Sequence, residues 1–347
     1  MKSPKLVRTF ALLTLISLYL VVFAGSIVRA TGSGMGCPDW PQCFGYLIPP
    51  TSEDQISWKA EKSFEAGQLI IHEEKLWEAT SDFTTSQTFE PKHWEIYTKH
   101  DYAKFNAAHT WTEYINRLCS AVLGVFCLLL LIFVYTKKQA LPIKTLAWLI
   151  LLGTLFQAWL GAKVVDSVLN PVKISIHLYM ALLLIAWSIA LVDRAYGQAK
   201  LSSPKLPRHL KNLILIFFII GLIQLVLGTQ IRQEIDQIAI GFSDQQRGLW
   251  VDFISYRLTI HIALAYTLLI LCALVWRKIK TIFGEGGILI KLSLLSLILS
   301  YSVGLIFRNF DFPAWAQPVH IVLSVVLFGI QFLMIKRAYF NQSLIKF

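Results

Sequence analysis

The chain has 347 residues, 55% of them hydrophobic and 15% charged, and its mean hydropathy is +0.57. That much apolar surface has no core large enough to enter, which excludes a soluble globule and makes the chain an integral membrane protein. The net charge of +11 is mostly a matter of membrane topology, and it gives no reason to invoke nucleic acid.

Eight runs are apolar and long enough to span a bilayer: about 9–28, 118–136, 145–163, 174–192, 212–230, 258–276, 287–307 and 317–335. The first is followed by no small-residue cleavage site and is expected to be a retained helix. Lys2, Lys5 and Arg8 precede it, and further basic groups follow the second, fourth, sixth and eighth segments: Lys137, Lys138 and Lys144; Arg194, Lys200, Lys205, Arg208 and Lys211; Arg277, Lys278 and Lys280; Lys336, Arg337 and Lys346. With eight spans all five groups fall on one side, which places both termini in the cytoplasm.

The first outer loop, about 30–108, is the longest connection and opens with RATGSGMGCPDWPQC. Cys37 and Cys43, on the oxidising side, can close a small disulfide ring. Either a structural staple or a redox-active pair fits, since a short strained ring is more reducible than a relaxed bridge. Cys119, Cys127 and Cys272 fall inside helices and read as small packing residues. Within the insertion 44–104, QLIIHEEKLWEAT predicts two short strands about a turn at Glu73–Glu74, with PKHWEIY as a third. This small extramembrane β-unit faintly resembles aromatic-rich carbohydrate-binding modules. His72, His93 and His100 in or near it are expected to be surface histidines.

The stretch FNAAHTWTEYINRLCSAVLG (105–124) is the most polar entry into any segment. On one helix His109, Glu113, Asn116 and Arg117 share a broad face. Charged groups at a membrane boundary are costly unless paired or serving a ligand, so this face is a candidate site; the plainer alternative is a polar helix start capped by Asn106.

The chain also repeats itself. Gly25-x3-Arg29 closes segment 1 and Gly228-x3-Arg232 closes segment 5, Gly161 stands sixteen residues before His177 and Gly304 sixteen before His320, and Arg117 has its counterpart in Arg257. This predicts an all-α membrane protein of two parallel-repeated four-helix bundles, 1–192 and 212–340. His109, His177, His261 and His320 stand at the outer ends of the even-numbered segments. Imidazoles repeated at one level are what bis-histidine haem ligation requires, whereas a lone membrane histidine is usually a packing residue. Arg29, Arg117, Arg232, Arg257 and Arg308 lie near that level and suit propionate carboxylates; without such a ligand they would be interfacial snorkelling groups.

On GSIVRATGSGMGCPDWPQC, TEYINRL, LGTQIRQEID and the histidines of segments 4, 6 and 8, the chain resembles the haem A synthases over all eight segments. The resemblance implies that the N-terminal half binds haem O as substrate, that the C-terminal half holds haem b through His261 and His320, and that Glu113 is the catalytic glutamate. It also implies a bacterial inner-membrane location with the haem sites toward the outer side, and a role in terminal oxidase assembly. Partners would be haem O, haem O synthase and a membrane electron donor or acceptor, either quinone pool or cytochrome; a homo-oligomer is left open. Two departures stand out: the family has histidine where this chain has Asn116 and Tyr256. His109 and His261 stand nearby, so His109 and His177 are the expected iron ligands of the substrate half, with the porphyrin sitting higher; the alternative is that His109 serves another role and the substrate iron has a single strong ligand. The chemistry, oxidation of a ring methyl to a formyl group, is beyond side chains alone and falls to the cofactor. A cytochrome b-type electron carrier without catalysis would explain the histidines but leave Glu113 and the cysteines idle. A transporter would explain the repeat, but transporters place their polar groups near mid-bilayer.

Overall fold

The computed structural model describes residues 3–197, 206–242, 244–284 and 287–340; Lys2, Lys200, Lys205 and Lys346 of the basic groups lie outside them. Among the described residues eight helices are long and apolar enough to cross a membrane, and the protein is a multi-pass membrane protein. They are α1 (Lys5–Ala30), α2 (Ala107–Thr136), α3 (Leu141–Val165), α4 (Pro171–Tyr196), α5 (Arg208–Gly241), α6 (Arg257–Phe283), α7 (Ile288–Asn309) and α8 (Ala316–Tyr339). Even α7, at 22 residues, rises about 33 Å, enough for a hydrocarbon core of about 30 Å.

Local chemistry fixes the helix ends. Asn106 caps α2, its Oδ1 accepting the His109 N–H at 3.1 Å. Asn170 caps α4 through the Val172 N–H at 3.0 Å, with Pro171 in the first helical position, where no N–H is needed. Gly284 ends α6 in the left-handed region at φ 77°, a conformation that favours glycine.

Two helices run further than their apolar runs. α2 begins eleven residues before 118, so TEYINRL lies inside it. α5 continues to Gly241, so Arg232-Gln-Glu-Ile-Asp236, expected in a loop, is helical. An Arg232–Asp236 ion pair at 3.0 Å spans one turn, and Ile231 and Ile235 form a buried stripe against Trp250 and Phe312. One apolar face keeps the helix going after the continuous apolar run has ended.

The chain forms two compact units. One takes in the described parts of Met1–Phe23, Val125–Gly153 and Ala181–Phe347, the other Ala24–Gly124 and Thr154–Met180. In the first, α5 packs on α6 and α8, and α7 on α6 and α8, closing a four-helix ring. Lys336 and Arg337, read from sequence as topology markers, are buried and pair with Asp193. A buried carboxylate meeting two cations avoids the cost of an uncompensated charge.

The second unit carries the β-unit. β1 (Ser63–Phe64) pairs with β4 (Phe83–Thr84), and β2 (Leu69–His72), β3 (Lys75–Ala79) and β5 (Trp94–Ile96) form an antiparallel sheet in the order β2-β3-β5. The β2–β3 hairpin turns at Glu73 and Glu74, both at positive φ, as a two-residue turn matched to strand twist requires. Alternation then gives the sheet two apolar faces. Leu69 and Leu76 pack with Cys37, Cys43 and Phe44, while Ile70 and Ala79 pack with Phe64 and Trp94. The β1–β4 pair was too short to show in the sequence pattern.

Candidate functional site

Cys37 and Cys43 are bonded, with Cα atoms 4.8 Å apart, and both are fully buried. The loop they close is fastened to α2. Gly36 lies against the α2 backbone, where a Cβ would come within 2.5 Å of the His109 carbonyl oxygen, and the Thr110 hydroxyl donates to the Gly36 carbonyl at 2.7 Å. This close approach accounts for a glycine at 36.

Glu113, 4% exposed, is held at both oxygens. Its Oε2 accepts the Cys37 N–H at 2.8 Å and its Oε1 accepts Arg117 Nη2 at 2.6 Å. Arg117 also donates to the carbonyls of Asp39 at 2.8 Å, Gln42 at 2.7 Å and Cys37 at 3.3 Å. Four of the five guanidinium N–H donors are thus committed to Glu113 and the cysteine loop, a different set of partners from the propionates its position suggested.

Three loop residues were missed from sequence. Asp39 accepts the Phe44 and Gly45 N–H groups at 2.6 and 2.7 Å; burial raises its carboxyl above the usual range, against the lowering effects of those N–H groups and of Arg117. His100, expected at the surface, is buried. Its Nδ1 accepts the Tyr102 N–H at 3.2 Å, so its Nε2 carries the proton and donates to the Pro38 carbonyl at 2.9 Å. The Tyr97 hydroxyl donates to the same carbonyl at 3.1 Å. Nothing in spacing alone tied these residues to the cysteine ring. His72 and His93 are partly buried and stack on Phe89 and Phe83.

The helical histidines share a construction. Gln157 on α3 donates from Nε2 to the His177 carbonyl at 2.8 Å, and a Cβ at Gly161 would lie 3.5 Å from His177 Cε1. Gln224 on α5 donates to the His261 carbonyl at 3.0 Å, and a Cβ at Gly228 would lie 3.3 Å from His261 Cε1. A Gln-x3-Gly pattern on α3 and α5 thus seats an imidazole on the next helix; Gln157-x3-Gly161 and Gln224-x3-Gly228 are visible in the sequence.

The His261 and His320 ring centres are 6.4 Å apart. Two imidazoles on opposite sides of one iron, each nitrogen ~2 Å from it, have ring centres roughly 6 Å apart. His177, His261 and His320 each keep a buried Nδ1 that meets no hydrogen-bond partner among the described residues, so a water or a ligand has to meet it. The residues of the C-terminal pair fit a haem. His109 stands in the first turn of α2, partly buried. Among the arginines, Arg29 is partly buried and Arg308 exposed, Arg232 pairs with Asp236, and Arg257 lies 3.8 Å from Glu234.

The Heme A synthase of Shewanella oneidensis is 26% identical over 240 residues, 69% of this chain and 61% of that protein. The one of Halalkalibacterium halodurans is 23% identical over 278 residues, 78% and 75%, and that of Flavobacterium psychrophilum 27% over 236, 66% and 61%. The chain therefore spans about three fifths of the length of the first and third. The family described as cytochrome oxidase assembly protein matches residues 8–332, a stretch that takes in the cysteine loop, Glu113 and all four helical histidines, and the chain belongs to that family.

Proposed function

We propose that this chain is a haem A synthase, which oxidises the ring methyl of haem O to the formyl group of haem A for terminal oxidase assembly. The observation that carries the proposal is the His261–His320 pair, whose ring centres stand 6.4 Å apart at the spacing two axial ligands of one iron need. In this reading the chain is two four-helix halves, 1–192 and 212–340, in parallel repeat; the C-terminal half holds haem b and the N-terminal half takes haem O with His177 as a ligand. Arg29, Arg232, Arg257 and Arg308 would hold the haem propionates, which guanidinium groups suit. The protein lies in a bacterial inner membrane with both termini cytoplasmic, and electrons pass to or from a quinone pool or cytochrome.

Bound haem supplies the redox chemistry at the methyl carbon. The chain's own part is to orient the substrate and handle protons. Glu113 is a carboxylate with lone pairs beyond those given to Arg117 and Cys37, and it accepts a proton released as the methyl is oxidised. Arg117 and the Cys37 N–H fix its orientation, and the buried cysteine loop keeps bulk water from it.

The test is haem extraction from membranes of a host that supplies haem O but lacks haem A synthesis. This chain should yield haem A, and Glu113→Gln should leave haem O unconverted while the haem b spectrum stays. Membranes containing haem b alone would make the chain an electron carrier and overturn the proposal.

A further inference from the structure

In the C-terminal half the pair of positions that face one another is His261 on α6 and His320 on α8. The first is marked by Gly228 of α5, part of Gly228-x3-Arg232, and the second by its sixteen-residue distance from Gly304. The N-terminal half has both markers, Gly25-x3-Arg29 and Gly161 sixteen residues before His177. A Cβ at Gly161 would meet His177, and a Cβ at Gly25 would lie 3.6 Å from Oδ1 of Asn116. The place that an imidazole takes opposite Gly228 is therefore taken by an amide opposite Gly25. His109 is seven residues toward the outer end of α2, about 10 Å of rise away. The Asn116 Oδ1 is buried and meets no hydrogen-bond partner among the described residues, so a water or a ligand group has to satisfy it.

We infer that the substrate half holds its haem through His177 alone, and that Asn116 lines the opposite face as a hydrogen-bond acceptor for a water or a substrate hydroxyl. This rests on the haem reading above and assigns that site its coordination. A neutral amide oxygen is a far weaker partner for haem iron than imidazole, so one face stays open to a small oxygen ligand while the C-terminal haem is closed on both faces. The two halves divide the work by one side chain: an open face where substrate is changed, a closed pair where electrons pass.

The test uses the full-length protein titrated with ferric haem b and read by low-temperature electron paramagnetic resonance and optical absorption. Beside the low-spin centre of the C-terminal half, a high-spin centre should appear that is lost in His177→Ala. Asn116→His should convert it to low-spin, Asn116→Ala should leave it high-spin with altered water exchange, and His109→Ala should leave it unchanged. A second low-spin centre in the unmutated protein, turned high-spin by His109→Ala, would overturn the inference while upholding the haem site. A protein that binds no haem sensitive to His177→Ala would refute the haem reading of this half and the inference with it.

Discussion

Arg117→Gln should loosen the cysteine loop and Glu113 together. The guanidinium is 14% exposed and the carboxylate 6%, so the pair is largely shielded from water and its loss is not softened as a surface pair's would be. Removing one partner of a buried pair costs about 3–5 kcal/mol, and here three carbonyls of the loop lose a donor as well. Taking the lower figure, the local opening equilibrium shifts on the order of 100-fold. Hydrogen exchange reads it directly, because the Cys37 amide is the donor to Glu113 and its protection reports that opening. Exchange across 36–45 should accelerate by about that factor, and with it that of Leu69, whose N–H donates to the Phe44 carbonyl at 3.1 Å, while the amides within the β2–β3 ladder, such as Ile70 opposite Trp77, should not change. Glu113→Gln/Arg117→Gln should lose less than the sum of the single changes, with a coupling of about 1–3 kcal/mol, because neither variant partner then leaves a bare charge. Protection at Cys37 unchanged by Arg117→Gln, or additivity in the cycle, would refute the account of Arg117 as the clamp.

His261→Ala and His320→Ala should each abolish the low-spin haem b spectrum, since each removes one axial imidazole; a reduced-minus-oxidised spectrum kept in the double variant would remove haem from the C-terminal half. Gly36→Ala should push the loop off α2, because its Cβ would meet backbone at the His109 carbonyl and Thr110 nitrogen, which cannot give as a side-chain tip can; faster exchange at Cys37 checks it. Cys37→Ser/Cys43→Ser should lower haem A yield without ending it, as the loop keeps its Arg117 and Thr110 bonds; complete loss of product at full substrate occupancy would show instead that the thiols carry electrons.

The eight spans were legible because an apolar run of bilayer length has one physical outcome, and the β2–β3 hairpin because alternation about Glu73–Glu74 sets both register and turn. The helix extensions were not. Residues 107–117 and 231–241 are amphipathic, and their helical state depends on partners such as the Cys37 loop and Trp250 that composition does not reveal. The site was legible to the extent that its residues repeat. His177 and His320 could be paired by symmetry, and Arg117 with Arg257, but the partners of Arg117 are carbonyls of a loop some 75 residues away, and main-chain acceptors carry no sequence signal. His100 failed for the same reason: a histidine in a polar loop looks exposed until the Pro38 carbonyl it serves is known.

A carboxylate can sit at the head of an apolar helix here because the charge problem is solved locally. Glu113 and Arg117 are four residues apart, one helical turn, with the acid nearer the α2 N-terminus, where the helix dipole favours it. That pair alone would leave the guanidinium with idle donors and the carboxylate open to water. The disulfide ring supplies what is missing, three carbonyls for the arginine and one N–H for the glutamate, from a backbone segment whose closure costs little ordering entropy once Cys37 and Cys43 are joined. Glu234, two residues beyond Arg232 on the prolonged α5, meets the same need differently: it accepts the Ser255 N–H and hydroxyl at 2.9 and 3.0 Å and lies 3.8 Å from Arg257. There the acid stands on the odd-numbered helix and needs no ring.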